Sequence, residues 1–113
     1  MLAQKYRIRK KKDIERIFKK GRNIKQDSLI LKTASNDLGF YRFGFIVSQK
    51  VSKKAVQRNK IKRKLREIVQ QRVNFNAAGR DNLFIALPQI EIKNIELIVK
   101  ALLKRAKIIQ NRI

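Results

Sequence analysis

Between Arg58 and Arg66 the residues Arg58, Lys60, Lys62, Arg63, Lys64 and Arg66 are cationic, and the same stretch sets Ile61 and Leu65 four residues apart, with Ile68 and Val69 a turn further on. At about 100° per residue this spacing predicts a helix within 52–73. The four apolar residues fall on one stripe, and Asn59, Arg63, Arg66 and Gln70 fall on the opposite face. Such a helix must lay one side into a core while holding dense charge outward. A disordered basic tail has no use for apolar period, because a segment that buries nothing gains nothing from it. A solvated lysine-rich helix is the bland reading. Against it, no acidic residue occurs between Asp37 and Glu67, and the charge forms one footprint suited to a polyanion.

The chain of 113 residues is the size of one domain and can bury a modest core without staples, so residues 1–113 are expected to form a single domain. Its 30 Lys and Arg against 8 Asp and Glu give a net charge of +22, which opposes compaction unless a polyanion neutralises part of it. Cysteine and histidine are both absent, which excludes disulfides, zinc fingers and triads built on His or Cys. The nearest carboxylate pairs, Asp13 with Glu15 and Glu91 with Glu96, do not share a helix face, so no catalytic residue is expected. The basic N-terminus lacks the apolar core of a signal peptide, and no apolar run approaches the ~18–20 residues of a membrane span. A soluble cytoplasmic protein with no membrane partner is expected.

Residues 1–12 carry Lys5, Arg7, Arg9, Lys10, Lys11 and Lys12 and read as a mobile basic arm. Asp13 is placed to cap a short helix with Ile14, Ile17 and Phe18 at helical spacing, ending at Gly21. Residues 28–35 and 40–48 look like strands, and Asn36-Asp37-Leu38-Gly39 predicts an antiparallel hairpin between them. Phe43, Phe45 and Val47 share one face of the second strand, and Arg42, Gly44, Ile46 and Ser48 share the other. Gly44 marks close approach by another backbone, a ligand or a packed side chain. Residues 74–81 read as a loop. Residues 82–87 run apolar without alternation, as in a strand covered on both faces, and Pro88 ends it. Ile95, Ile98, Val99, Leu102, Leu103 and Ala106 then define a final amphipathic helix, whose Lys93, Lys100, Lys104 and Lys107 form a solvated face or a minor RNA contact. With a short extra strand near 23–26, the expected fold is a small α/β (α+β) sandwich. A mixed sheet of three to four strands packs on one side of a layer of helices, in the order α-β-β-(β)-α-β-α.

Charge alone does not separate DNA from RNA. The chain has no zinc ligands, no heptads behind the basic region and no helix closely preceding it as in a helix-turn-helix, so DNA readout loses ground. Recognition by shape and phosphate fits better than base-by-base reading.

The segments Arg42-Phe43-Gly44-Phe45-Ile46-Val47-Ser48-Gln49-Lys50 and Ala55-Val56-Gln57-Arg58-Asn59-Lys60-Ile61-Lys62-Arg63-Lys64-Leu65-Arg66-Glu67 closely resemble the protein component of bacterial ribonuclease P. The likeness covers nearly the whole chain, from the basic start through Ile17-Phe18 before Gly21-Arg22 to the last helix. It implies an accessory subunit of an endoribonuclease that removes the 5′ leader from precursor tRNA. In such an enzyme the RNA subunit holds the catalytic Mg²⁺ and the protein strengthens binding of substrate and metal. The resemblance also implies a left-handed crossover from the strand ending near Ser48, through the basic helix, to a parallel strand.

Carried over residue by residue, Arg58, Asn59, Lys60, Lys62, Arg63 and Arg66 would face the catalytic RNA, with Lys50, Lys53 and Lys54 beside them. Lys60 stands where the family has arginine, and loses the planar fork for bidentate phosphate contact. The wheel places Arg58 near the apolar stripe, where it would brace the helix start. The precursor tRNA leader would lie in a cleft bounded by Ile14, Phe18, Lys32, Gly44 and Ser48. Ile14 and Lys32 occupy positions often aromatic in the family, so base stacking is expected to be reduced there. The protein is expected to be monomeric beside one RNA subunit. A ribosomal or RNA-chaperone protein of similar fold is the competing reading, and a protein-only nuclease a third.

Overall fold

The computed structural model of the chain describes residues 2–111. Among them are the helices α1 (Lys11–Lys20), α2 (Ala55–Arg72) and α3 (Ile92–Arg105) and the strands β1 (Arg22–Gln26), β2 (Leu29–Ser35), β3 (Arg42–Ile46) and β4 (Arg80–Ala86). Along the chain they run α1-β1-β2-β3-α2-β4-α3, the expected order with the extra strand present. The four strands form one mixed sheet in the spatial order β1-β2-β4-β3.

The expected hairpin between β2 and β3 does not form, because β4 lies between them. β4 pairs antiparallel with β2 and parallel with β3, so Ile85 stands opposite both Ile30 and Ile46. The Asn36–Gly39 turn is real, with the Leu38 amide donating to Asn36 Oδ1 at 3.0 Å, but it carries the chain past the site that β4 fills. Leu83, Phe84 and Ala86 of β4 are buried, and a strand apolar on both faces gains most from a central place in the sheet. The tight hairpin is β1–β2, closed at Asp27 with φ 51°. Asp tolerates that left-handed conformation better than most residues.

The helices do not form one layer. α2 and α3 cover one face of the sheet, where Leu29, Leu31, Phe43 and Phe84 join Ile61, Leu65, Ile68 and Val69 of α2 and Ile95, Val99, Leu102 and Leu103 of α3. α1 covers the other face, where Ile17 meets Ile8, Ala34 and Leu83. The apolar stripes of α2 and α3 are thus buried as their spacing requires. Ile17 is the one fully buried side chain of α1, worth about 1.5–3 kcal/mol. Partly buried Ile14 and polar contacts supply the rest of the attachment of α1.

Residues 2–12 are not a free arm. Arg7 bridges Phe43 in parallel fashion, the Ile8 amide donates to the Phe43 carbonyl at 2.9 Å, and Leu2 and Ile8 are buried. Apolar residues within the basic stretch pin it to the edge of β3. Asp13 is not a cap either: α1 starts at Lys11 with Lys10 at the N-cap, and Asp13 lies in the first turn, where it pairs with Arg42 at 3.5 Å. Gly21 ends α1 in an extended rather than left-handed conformation, and an added Cβ would overlap the Ile17 carbonyl.

Candidate nucleic-acid interface

α2 begins at Ala55, and its polar side divides into two flanks. Lys60 and Arg63 are exposed, and Arg63 shares a surface pocket with Glu67. Asn59, Lys62 and Arg66 turn toward the edge of β3, where they meet Arg7, Arg9 and the Phe43-Gly44-Phe45 backbone around a cleft of about 370 Å³. Arg7, Lys62 and Arg66 are half-buried, and no carboxylate lines the cleft. Cations partly withdrawn from water around a cleft that no carboxylate lines make a place for an anion. Sequence reasoning passed over Arg7 and Arg9 as site residues. The alternation Arg7-Ile8-Arg9, polar either side of a buried isoleucine, is the strand-like signal that reveals them.

Arg58 braces the start of the helix: its Nη1 donates to the carbonyls of Ser52 and Lys53, each at 3.0 Å. Those bonds, with the Lys54 amide on Ser52 Oγ at 3.2 Å, fold the 48–54 loop over the first turn of α2. Lys50, Lys53 and Lys54 stand exposed on that loop and extend the cationic surface of α2.

On the α1 side of the sheet, alternation along the strands places Ile30, Ile85 and Ile46 in one row across β2, β4 and β3, each half-buried. The sequence assigned a face only to Ile46; the register that lines the three up comes from the sheet. Ile14 joins the α1 core from above, and Phe18 remains 48 % exposed beside them. The Lys32 ammonium lies 4.9 Å from the centre of the Phe18 ring and donates to Asn23 Oδ1 at 2.6 Å, so Lys32 and Phe18 form one polar and aromatic rim. Gly44 is buried opposite Leu83 on this side of the sheet. An added Cβ would fall 2.5 Å from Leu83 Cδ2 and 3.4 Å from Ile8 Cβ, so packing accounts for the glycine. Ser48 is exposed, and its Oγ accepts the Lys50 amide at 3.3 Å.

The wall formed by α1 is anchored by a buried carboxylate. Asp81, fully buried in β4, accepts from Arg42 Nε at 2.9 Å and Nη2 at 2.7 Å, from Asn36 Nδ2 at 2.7 Å and from Arg16 of α1. Arg16 also caps the Ser35 carbonyl at 3.0 Å. The Arg42 guanidinium is held above its ordinary pKa, chiefly by its hydrogen bonds to Asp81, against the opposing effect of burial. These carboxylates are therefore structural. Among the described residues no three carboxylates converge, and Asp13 and Asp81 are paired with arginines. No described helix is long and apolar enough to cross a membrane.

The sequence model of the ribonuclease P family matches residues 2–110. The ribonuclease P protein component of Roseiflexus castenholzii is 33% identical over 116 residues, covering 99% of this chain and 94% of the relative. That of Pelotomaculum thermopropionicum is 32% identical over 104 residues, covering 89% of this chain and 92% of the relative. In three dimensions the chain is similar to the Staphylococcus aureus ribonuclease P protein, with a TM-score of 0.79, 32% identity and coverage of 91% of this chain and 96% of that one. The Thermotoga maritima ribonuclease P protein gives a TM-score of 0.74 at 27% identity, over 88% and 96% of the two chains. Sequence and fold agree over nearly the full length, and the chain belongs to the ribonuclease P protein component family.

Proposed function

We propose that this protein is the accessory subunit of a ribonucleoprotein that removes the 5′ leader from precursor tRNA. One observation supports the reading above others: a set of cations on α2 and the N-terminal segment stands beside β3 around a cleft that no carboxylate lines. On the α1 side of the sheet, Phe18 and Lys32 pair beside a row of half-buried isoleucines. The first surface suits the phosphates of a folded catalytic RNA. The second suits a single strand, whose bases rest on apolar and aromatic side chains while lysine meets a phosphate.

In this reading Asn59, Lys62, Arg63 and Arg66 bind the catalytic RNA, Lys50, Lys53, Lys54 and Lys60 add long-range attraction, and Arg58 holds the helix start in place. Ile14, Phe18 and Lys32 contact the leader, over a floor of Ile30, Ile46 and Ile85. Ser48 lies at the end of β3, and Gly44 acts through packing. Mg²⁺ at the reaction centre belongs to the RNA subunit. The protein raises the local concentration and fixes the register of the substrate, and one protein binds one RNA.

Reconstitution tests this. The protein is mixed with a bacterial ribonuclease P RNA and precursor tRNA at low Mg²⁺, and faster 5′ maturation is expected. Equal rates with and without protein would leave a ribosomal or RNA-chaperone role as the better account. Cleavage by purified protein free of RNA would relocate the chemistry to the chain itself.

A further inference from the structure

β3 is an edge strand, and the N-terminal segment covers only its first part. The Ile8 amide bonds to the Phe43 carbonyl, which fixes the polar groups of Phe43 on the outer edge. In a strand the next residue with N–H and C=O on that edge is two positions on, at Phe45. There the N-terminal segment has already turned away to start α1 at Lys11, and no group of the described residues pairs with the Phe45 backbone. Phe43, Gly44 and Phe45 form one wall of the cleft, and Arg7, Arg9, Asn59, Lys62 and Arg66 surround it.

A donor and an acceptor side by side, inside a ring of cations, are more than a phosphate site requires. Every nucleobase carries neighbouring donor and acceptor atoms on its Watson–Crick edge, available when the base is unpaired. A volume of about 370 Å³ falls in the lower part of the roughly 300–1,000 Å³ range of small-ligand sites. We propose that this cleft takes a single unpaired ribonucleotide of the RNA subunit, with its phosphate on Lys62, Arg66 and the arginines of the N-terminal segment. Its base edge pairs with the N–H and C=O of Phe45, and Asn59 supplies a further donor and acceptor. The inference rests on the RNA-binding reading above and adds that the contact is made to a base as well as to the backbone. An added β-strand from another protein would also use the Phe45 edge. It would leave the cations unanswered, so RNA is the occupant favoured here.

The experiment is amide NMR on the full chain, titrated separately with adenosine 5′-monophosphate, ribose 5-phosphate and inorganic phosphate. Saturable movement of the Phe45 amide is expected with the nucleotide and not with the two probes that lack a base. Lys62→Ala or Arg66→Ala should each weaken the nucleotide by about tenfold, the scale of one charge-assisted hydrogen bond. Equal movement of Phe45 with all three probes would reduce the cleft to an anion site and overturn the proposal. So would a silent Phe45, or concentration-dependent self-association that is lost when Phe45 is replaced by proline. The outcomes separate from those of reconstitution. A protein that accelerates cleavage yet shows no base-dependent shift loses only the nucleotide pocket, whereas one that shows the shift and fails to accelerate cleavage loses the wider reading.

Discussion

Arg42 of β3 holds Asp81 of β4 through two near-parallel hydrogen bonds of 2.9 and 2.7 Å, in a chain whose net charge of +22 leaves few carboxylates to share. Arg16 joins from α1, so a single buried carboxylate ties the helix to two strands. Removing one partner of a buried pair leaves uncompensated charge at a cost of about 3–5 kcal/mol. Asp81→Asn is therefore expected to destabilise the protein on that scale, read as a lower urea midpoint. Because Arg16 and Arg42 are partly exposed, the lower part of the range applies.

Gly44→Ala tests packing against Leu83 and Ile8. The new methyl would sit closer to Leu83 than van der Waals contact allows, and overpacking of this kind costs about 1–3 kcal/mol. A variant as stable as the parent would show that Leu83 can move aside, and would return Gly44 to the set of residues that leave room for a ligand.

Phe18→Ala separates stability from binding. With the ring 48 % exposed, stability is expected to change little, whereas affinity for precursor tRNA falls by about 1–3 kcal/mol where a leader base stacks on it. The comparison uses precursors of graded leader length. Without aromatics at Ile14 and Lys32, dependence on leader length should be shallow, and equal loss for substrates with and without leader would place the Phe18 effect outside the groove.

Arg63→Ala and Arg66→Ala are expected to weaken binding to the catalytic RNA and to flatten its dependence on salt by about one unit for each phosphate that is no longer neutralised. Unchanged slopes would move the interface off α2. RNA should also raise the melting temperature, since it binds the native state and relieves self-repulsion.

Stability should be nearly flat between about pH 6 and 9, because no histidine or cysteine is present to titrate there. The sign at Arg42 agrees. Its pKa is raised above the ordinary arginine value, so its contribution is fully present across this window and is lost only at far more alkaline pH. Urea midpoints across the window check this, and a slope in either direction would reveal a group whose titration the fold controls.

The sequence by itself determined the elements whose signal is local. Ile61, Leu65, Ile68 and Val69 announced a helix with one buried side, Ile95 to Ala106 announced another, and residues 82–87 announced a strand covered on both faces. Family membership was legible as a resemblance, carried by residues 42–50 and 55–67 together with the order of the elements. Only the tertiary structure decided that β4 enters between β2 and β3, that α1 stands alone on the far face, and that Arg7 and Arg9 join Asn59 and Arg66. It also decided that Asp81 meets Arg16 and Arg42 rather than solvent. The reason is physical: period and turn chemistry act over a few residues, whereas strand order and the partner of a buried charge are set by competition among contacts distant in sequence.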